Sequence, residues 1–102
     1  MEIRITEKND RFVALLCGEL DNIASIKAKK DLAPLTEQTD HDVEIDCSGL
    51  EYISSSGLRL FIGIYKHQHD IGRRCIMTHV SDKLNDVFET GGFFMLFEQE
   101  GE

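Results

Sequence analysis

Cations are scarce in this chain. Eleven Lys and Arg stand against nineteen Asp and Glu, the formal net charge is −8, and only Lys27, Lys29 and Lys30 form a small cluster. Nucleic acid requires a concentrated cationic surface, so neither duplex nor single-stranded nucleic acid is expected as a partner, and a basic protein fits the charge better. Long apolar runs are also missing. Segments such as Leu60 to Tyr65 and Gly92 to Phe97 fall far short of the roughly 20 residues that cross a bilayer. The opening Met1-Glu2-Ile3-Arg4-Ile5 has neither the basic start nor the long apolar core of a secretory signal. Cysteine is sparse and odd in number: Cys17, Cys47 and Cys75 lie far apart, each in an apolar segment. That pattern suits reduced, small hydrophobic side chains better than a disulfide framework and points to the cytoplasm. There is no CxxC or HExxH spacing, and His67 and His69, two apart on an expected helix, would point to different faces. No metal and no other cofactor is therefore expected, and no membrane association.

What is present suits a folded unit. With 102 residues, 41% hydrophobic and 29% charged, the chain is expected to form one domain over residues 1–102. Glu2 to Lys8 alternates apolar and polar residues, and Phe12 to Leu20 is apolar, which predicts two strands joined by a tight hairpin at Asn9-Asp10. Asp21 is placed to cap a helix whose apolar positions Ile23, Ile26, Leu32 and Leu35 fit one face imperfectly, and Pro34 should end or kink it near residues 30 to 34. Val43, Ile45 and Cys47 share one face of a short expected strand. Leu58, Phe61, Ile62 and Tyr65 at helical spacing, with Leu60 and Ile64 widening the stripe, predict a largely buried helix stopping near Gly72. Cys75 to Val80 reads as a strand, Ser81 as the cap of a helix with Leu84, Val87 and Phe88 inward and Gly91-Gly92 at its end, and Phe93 to Phe97 as a last strand before a frayed acidic tail. The order implies an α/β domain with a mixed four- to five-stranded sheet and helices packed against it, the later strands parallel through helical crossovers.

The segment Asp46-Cys47-Ser48-Gly49-Leu50-Glu51-Tyr52-Ile53-Ser54-Ser55-Ser56-Gly57-Leu58 puts three serines between a buried strand and a buried helix. One hydroxyl suffices as an N-cap, contributing about 1 kcal/mol. The other two, and a glycine that costs about 1 kcal/mol relative to alanine in a helix, call for another reason. Gly57 suggests close approach of another group to an accessible helix start. A phosphate there would meet free amides at the positive end of the helix dipole, so the fold should tolerate it while any interface changes.

The strings Gly18-Glu19-Leu20-Asp21, Ile45-Asp46-Cys47-Ser48-Gly49-Leu50 and Tyr52-Ile53-Ser54-Ser55-Ser56-Gly57-Leu58, then Leu84 to Phe88 with Gly91-Gly92-Phe93, resemble in order and separation the landmarks of STAS domains, the anti-sigma factor antagonist family. The resemblance covers almost the whole chain. It implies a small STAS-like domain that binds an anti-sigma factor, often a serine protein kinase, while unphosphorylated, and is released by phosphorylation at Ser55. A serine phosphatase would then reset the switch. Ser55 lies two residues before the motif glycine, Ser56 matches the second hydroxyl, and Ser54 stands where the family often has Asp. The resemblance makes Asp21, Ser54, Ser55, Ser56, Gly57 and Arg59 the expected partner-binding set. The sequence stops at Glu102, where relatives commonly continue into another helix, so an open surface or a minimal form of the domain is expected there.

Catalysis is not expected: Ser54 to Gly57 does not form GxSxG, no SxxK is present, and no histidine is placed to serve as base. GxGxxG and Walker A loops are absent as well. The alternative is a STAS-like docking or small-ligand sensing module without the switch. Ser55 as a simple cap, Asp21 as only a helix cap, Arg59 as a solvated charge and Phe93, Phe94 and Phe97 as packing residues remain the plainer readings of those positions.

Overall fold

The computed structural model describes residues 1–90 and 98–100. Strands β1 (Glu2–Lys8) and β2 (Arg11–Leu20) pair antiparallel from Glu2↔Cys17 to Lys8↔Arg11. Their turn needs no glycine because Asn9 takes φ +52°, a left-handed conformation that asparagine tolerates better than most residues. Helix α1 (Asn22–Asp31) and one 3-10 turn (Ala33–Thr36) lead to β3 (Asp42–Ile53). Helix α2 (Ser55–Asp70), β4 (Cys75–Thr78), α3 (Asp82–Thr90) and β5 (Glu98–Glu100) complete the order. The five strands lie in chain order in one sheet, with every pairing after the first parallel. The expected mixed sheet with helical crossovers is thus observed.

One face of the sheet carries the core. Ala14 and Leu16 from β2, Val43, Ile45 and Cys47 from β3, and Met77 from β4 meet Phe61 and Ile64 of α2 and Leu84 and Phe88 of α3. On the opposite face, where Ile76 beside Glu44 is also buried, Arg11 pairs with Glu44 at 3.0 Å, and the Thr78 hydroxyl donates to Glu44 at 2.8 Å. At the far end of α2 the buried Gln68 takes the next core-facing position after Ile64. Its amide donates to the carbonyls of His41 and Arg74, both at 2.9 Å, and its oxygen accepts from Gln38 at 2.7 Å. A buried amide with its hydrogen bonds made costs little. Here it ties the start of β3 to the end of α2, which stops as Gly72 takes φ +73°.

Four expectations need correction. Strand β3 runs on to Ile53 rather than ending at Cys47, because its second half pairs with β2 from Cys17↔Gly49 to Leu20↔Ile53 across register shifts. Strand β4 ends at Thr78 rather than Val80. Ile23 and Ile26 are 81% and 77% exposed: α1 packs instead through Ser25 and Ala28, small side chains that let it lie close, while Leu32 and Leu35 are buried just beyond its end. Finally, the acidic stretch expected to fray contributes β5, whose Glu98 pairs with Ile76 and Glu100 with Thr78. The expected strand at Phe93 to Phe97 and the Gly91-Gly92 stop lie outside the described residues.

Candidate functional site

Parallel strands β2 and β3 end side by side, and a helix starts at each end. The Ser54 amide donates to the Leu20 carbonyl at 2.9 Å, fixing the two starts relative to each other. In α/β sheets this edge, at the carboxyl ends of parallel strands, is where binding sites gather. Asp21 is extended (φ −84°, ψ −175°), and its Oδ1 accepts from the Ala24 amide at 2.8 Å. Ser54 is also extended (φ −90°, ψ 173°), and its Oγ accepts from the Gly57 amide at 3.2 Å. Each residue satisfies one of the orphan amides of its helix.

The three serines therefore separate by role. Ser54 is buried and serves as the cap. Ser55, the first residue of α2, is exposed, and among the described residues its hydroxyl has no hydrogen-bond partner. Capping, the plainer reading of Ser55, is taken by its neighbour. Ser56 is half-buried and lines a shallow groove of about 240 Å³ between α1 and α2, together with Ile26, Lys29 and Arg59.

Gly57 is buried, and the close approach it permits is internal. A Cβ there would lie 2.8 Å from Leu20 Cγ and Cδ2 and 2.9 Å from Ile53 Cγ1. The expectation that this glycine marks an accessible backbone is corrected: it lets α2 settle onto the ends of β2 and β3. Of the six residues singled out, Asp21, Ser55, Ser56 and Arg59 reach the surface at one end of the sheet, whereas Ser54 and Gly57 shape that surface from within.

Sequence reasoning missed two surface residues. Ile23 and Ile26 follow Asp21 on α1 and are the most exposed large hydrophobic side chains described, with Tyr52, 44% exposed, near the end of β3. The poor apolar periodicity of α1 was the available signal, since it showed that these isoleucines do not share a face with Leu32 and Leu35.

Other reactive groups stand apart. The buried Cys47 thiol is pushed up to about 12 by burial and, secondarily, by the Asp46 carboxylate, so it stays protonated. Cys75 is buried and Cys17 half-buried, and neither is joined in a disulfide. His41, stacked on Phe12 with ring centroids 4.1 Å apart, lies near the start of β3 at the other end of the strand from Ser54. Hydrogen bonds to Glu7 and Asp40, both at 2.7 Å, raise its pKa. Among the described residues no cluster of three or more His, Cys, Asp or Glu side chains could hold a metal ion, and no helix is long and apolar enough to cross a membrane.

Comparison with known proteins agrees with this fold. The anti-sigma-B factor antagonist of Staphylococcus epidermidis is 25% identical over 92 residues, covering 90% of this chain and 85% of that protein. The solved structure of the anti-sigma factor antagonist SpoIIAA in its unphosphorylated form superimposes with a TM-score of 0.80 at 19% identity, over 99% of this chain and 90% of that one. The phosphorylated form of SpoIIAA, from Bacillus, gives 0.74 at 20% identity over 99% and 93%. Residues 2–101 match the family described as the STAS domain. The chain belongs to the STAS domain family.

Proposed function

We propose that this domain is an anti-sigma factor antagonist, a cytoplasmic binding protein rather than an enzyme, switched by phosphorylation at Ser55. In its unphosphorylated state it docks a serine-kinase anti-sigma factor against Asp21, Ser55, Ser56 and Arg59, with Ser54 and Gly57 holding that surface in shape. Phosphorylation of Ser55 by the bound kinase releases it, and a serine phosphatase restores it. The observation that carries this reading is the division of labour among the serines: Ser54 caps α2 and leaves Ser55 exposed with an unengaged hydroxyl.

A phosphate on Ser55 would add about −1.5 to −2 charges at a helix N-terminus, where nearby amides and the dipole favour an anion. The fold would therefore persist while the docking surface changed sign locally, beside the Asp21 carboxylate that caps the neighbouring helix. The anti-sigma factor antagonist names of the S. epidermidis relative and of SpoIIAA, and the existence of a phosphorylated form of SpoIIAA, support the same reading. Exposed Ile23 and Ile26 favour protein docking at this end whether or not the switch operates. That leaves an unregulated docking module as the second reading.

The test is incubation with the serine-kinase anti-sigma factors of the host and ATP, followed by phosphosite mapping by mass spectrometry beside a Ser55→Ala control. Phosphate at Ser55, absent from the control, is the expected result. No phosphate from any of these kinases would favour the unregulated module.

A further inference from the structure

Midway along α2, Gly63 has no role in the domain's own packing. A Cβ built there meets nothing within 4 Å, and no left-handed backbone requires glycine at this position. Glycine inside a helix is costlier than any residue but proline, so an unpacked one points to a backbone approached from outside. Gly63 opens onto a groove between α1 and α2 of about 330 Å³, lined also by Leu32, Leu60 and Ile64. That groove shares Lys29, Leu60 and Arg59 with the shallower one reaching Ser56, so the two run together along the helix pair.

The charge at this groove opposes that of the chain. Net charge is −8, yet Lys29 from α1 and Arg59 from α2 both border the groove. Among the described residues neither has a carboxylate at ion-pair distance. The trough is open and extended rather than enclosed, and the exposed Ile26 continues its apolar lining at one end. A closed cavity would suit a small ligand, which is usually largely engulfed. An open apolar trough with a glycine along its wall suits a helix laid lengthwise.

We infer that the α1–α2 groove is a docking seat for an acidic amphipathic helix of a partner protein. Its apolar face would rest on Leu32, Leu60 and Ile64, its backbone would approach at Gly63, and its flanking carboxylates would meet Lys29 and Arg59. The seat adjoins the Ser55 surface but is argued without reference to phosphorylation.

The test is titration of the ¹⁵N-labelled protein with a capped helical peptide of about 18 residues, long enough to form a helix, bearing leucines at i, i+3, i+4 and i+7 flanked by Glu. A Lys-flanked counterpart and dodecanoate form the comparison arms. The inference expects amide shifts centred on Lys29, Arg59 and Gly63, and affinity for the Glu peptide at least about tenfold above that for the Lys peptide, a difference of about 1.4 kcal/mol. Lys29→Glu/Arg59→Glu should reverse that preference. Gly63→Leu should abolish binding with the amide spectrum otherwise native, and Gly63→Ala should weaken it if the leucine does not fold. Equal affinity for the two peptides, shifts elsewhere, unaltered binding by the Gly63 variants, or occupancy of the groove by dodecanoate but not by peptide would each overturn it. No kinase or phosphate enters the experiment, so its failure leaves the Ser55 switch untouched, and failure of the switch leaves this seat untouched.

Discussion

Alanine at Gly57 and at Gly63 should change stability in opposite directions, although both positions lie in one helix. At Gly63 the added methyl meets nothing within 4 Å, so only the helix-propensity gain of about 0.5–1 kcal/mol remains. For a domain of this size that corresponds to a rise in Tm of roughly 2–8 °C. At Gly57 the methyl would lie 2.8–2.9 Å from Leu20 and Ile53, side chains only 0% and 3% exposed and held in the core. Overpacking of that kind costs about 1–3 kcal/mol. Propensity returns at most about 1 kcal/mol in an interior turn and less in the first turn, where Gly57 sits. The net is a loss of about 0–2 kcal/mol, and the two variants should differ by about 1–3 kcal/mol. Urea unfolding at 25 °C, followed by far-UV circular dichroism with the slope held common, measures both. Gly57→Ala as stable as Gly63→Ala would refute the packing assigned to Gly57, and a destabilised Gly63→Ala would refute its openness.

The serines should separate in the same assay: Ser54→Ala loses the cap and about 1 kcal/mol, while Ser55→Ala stays within about 0.5 kcal/mol of the parent. The raised pKa of His41 comes first from its hydrogen bond to Glu7 and then from that to Asp40. Its stabilisation is complete below the ordinary value of 6.5 and is lost as pH rises through the higher folded value. Tm should accordingly fall as pH rises above 6.5 in the parent more than in a Glu7→Gln/Asp40→Asn variant, as differential scanning calorimetry would record. The Cys47 thiol, pushed up to about 12, should resist iodoacetamide in the native protein near pH 8 and react once urea unfolds it; mass spectrometry that found Cys47 alkylated in the native state would contradict its burial.

The caps were legible because they depend on local chemistry. Asp21 and Ser81 each accept from a backbone amide of the helix that follows, and side-chain oxygens in those places signal a helix start in any fold; for α2 the sequence showed that one of three serines caps, but not that it is Ser54. Strand β3 was legible only to Cys47. Beyond it the buried residues are Leu50 and Ile53, spaced by three, because the register against β2 shifts after Leu15 and again after Gly18. A period-two search cannot follow a strand whose pairing slips. Helix α1 misled in the opposite sense, since its largest apolar side chains face water and its contacts run through Ser25 and Ala28. Hydrophobicity alone does not reveal a helix held close by small residues. Strand β5 pairs through backbone along β4, and its Glu-Gln-Glu sequence carries no strand signal of its own.

The candidate site was legible as a cluster but not as a set of roles. The resemblance distinguished the three hydroxyls by position, but local chemistry left open which one caps α2 until the Ser54 Oγ was seen to accept from the Gly57 amide at 3.2 Å. Gly57 read as a door and proved to be a packing contact, whereas Gly63, with nothing in the sequence to mark it, faces open space. Both assignments depend on which neighbours the fold brings within reach, and local spacing does not carry that information.

The central claim is that phosphate on Ser55 weakens docking without disturbing the fold. Its most direct test is isothermal titration of an anti-sigma factor with the unmodified protein and with the same protein stoichiometrically phosphorylated at Ser55, their circular dichroism spectra compared beforehand. Matching spectra with affinity reduced at least about tenfold, or about 1.4 kcal/mol, is the predicted result; equal affinity of the two forms would contradict the account.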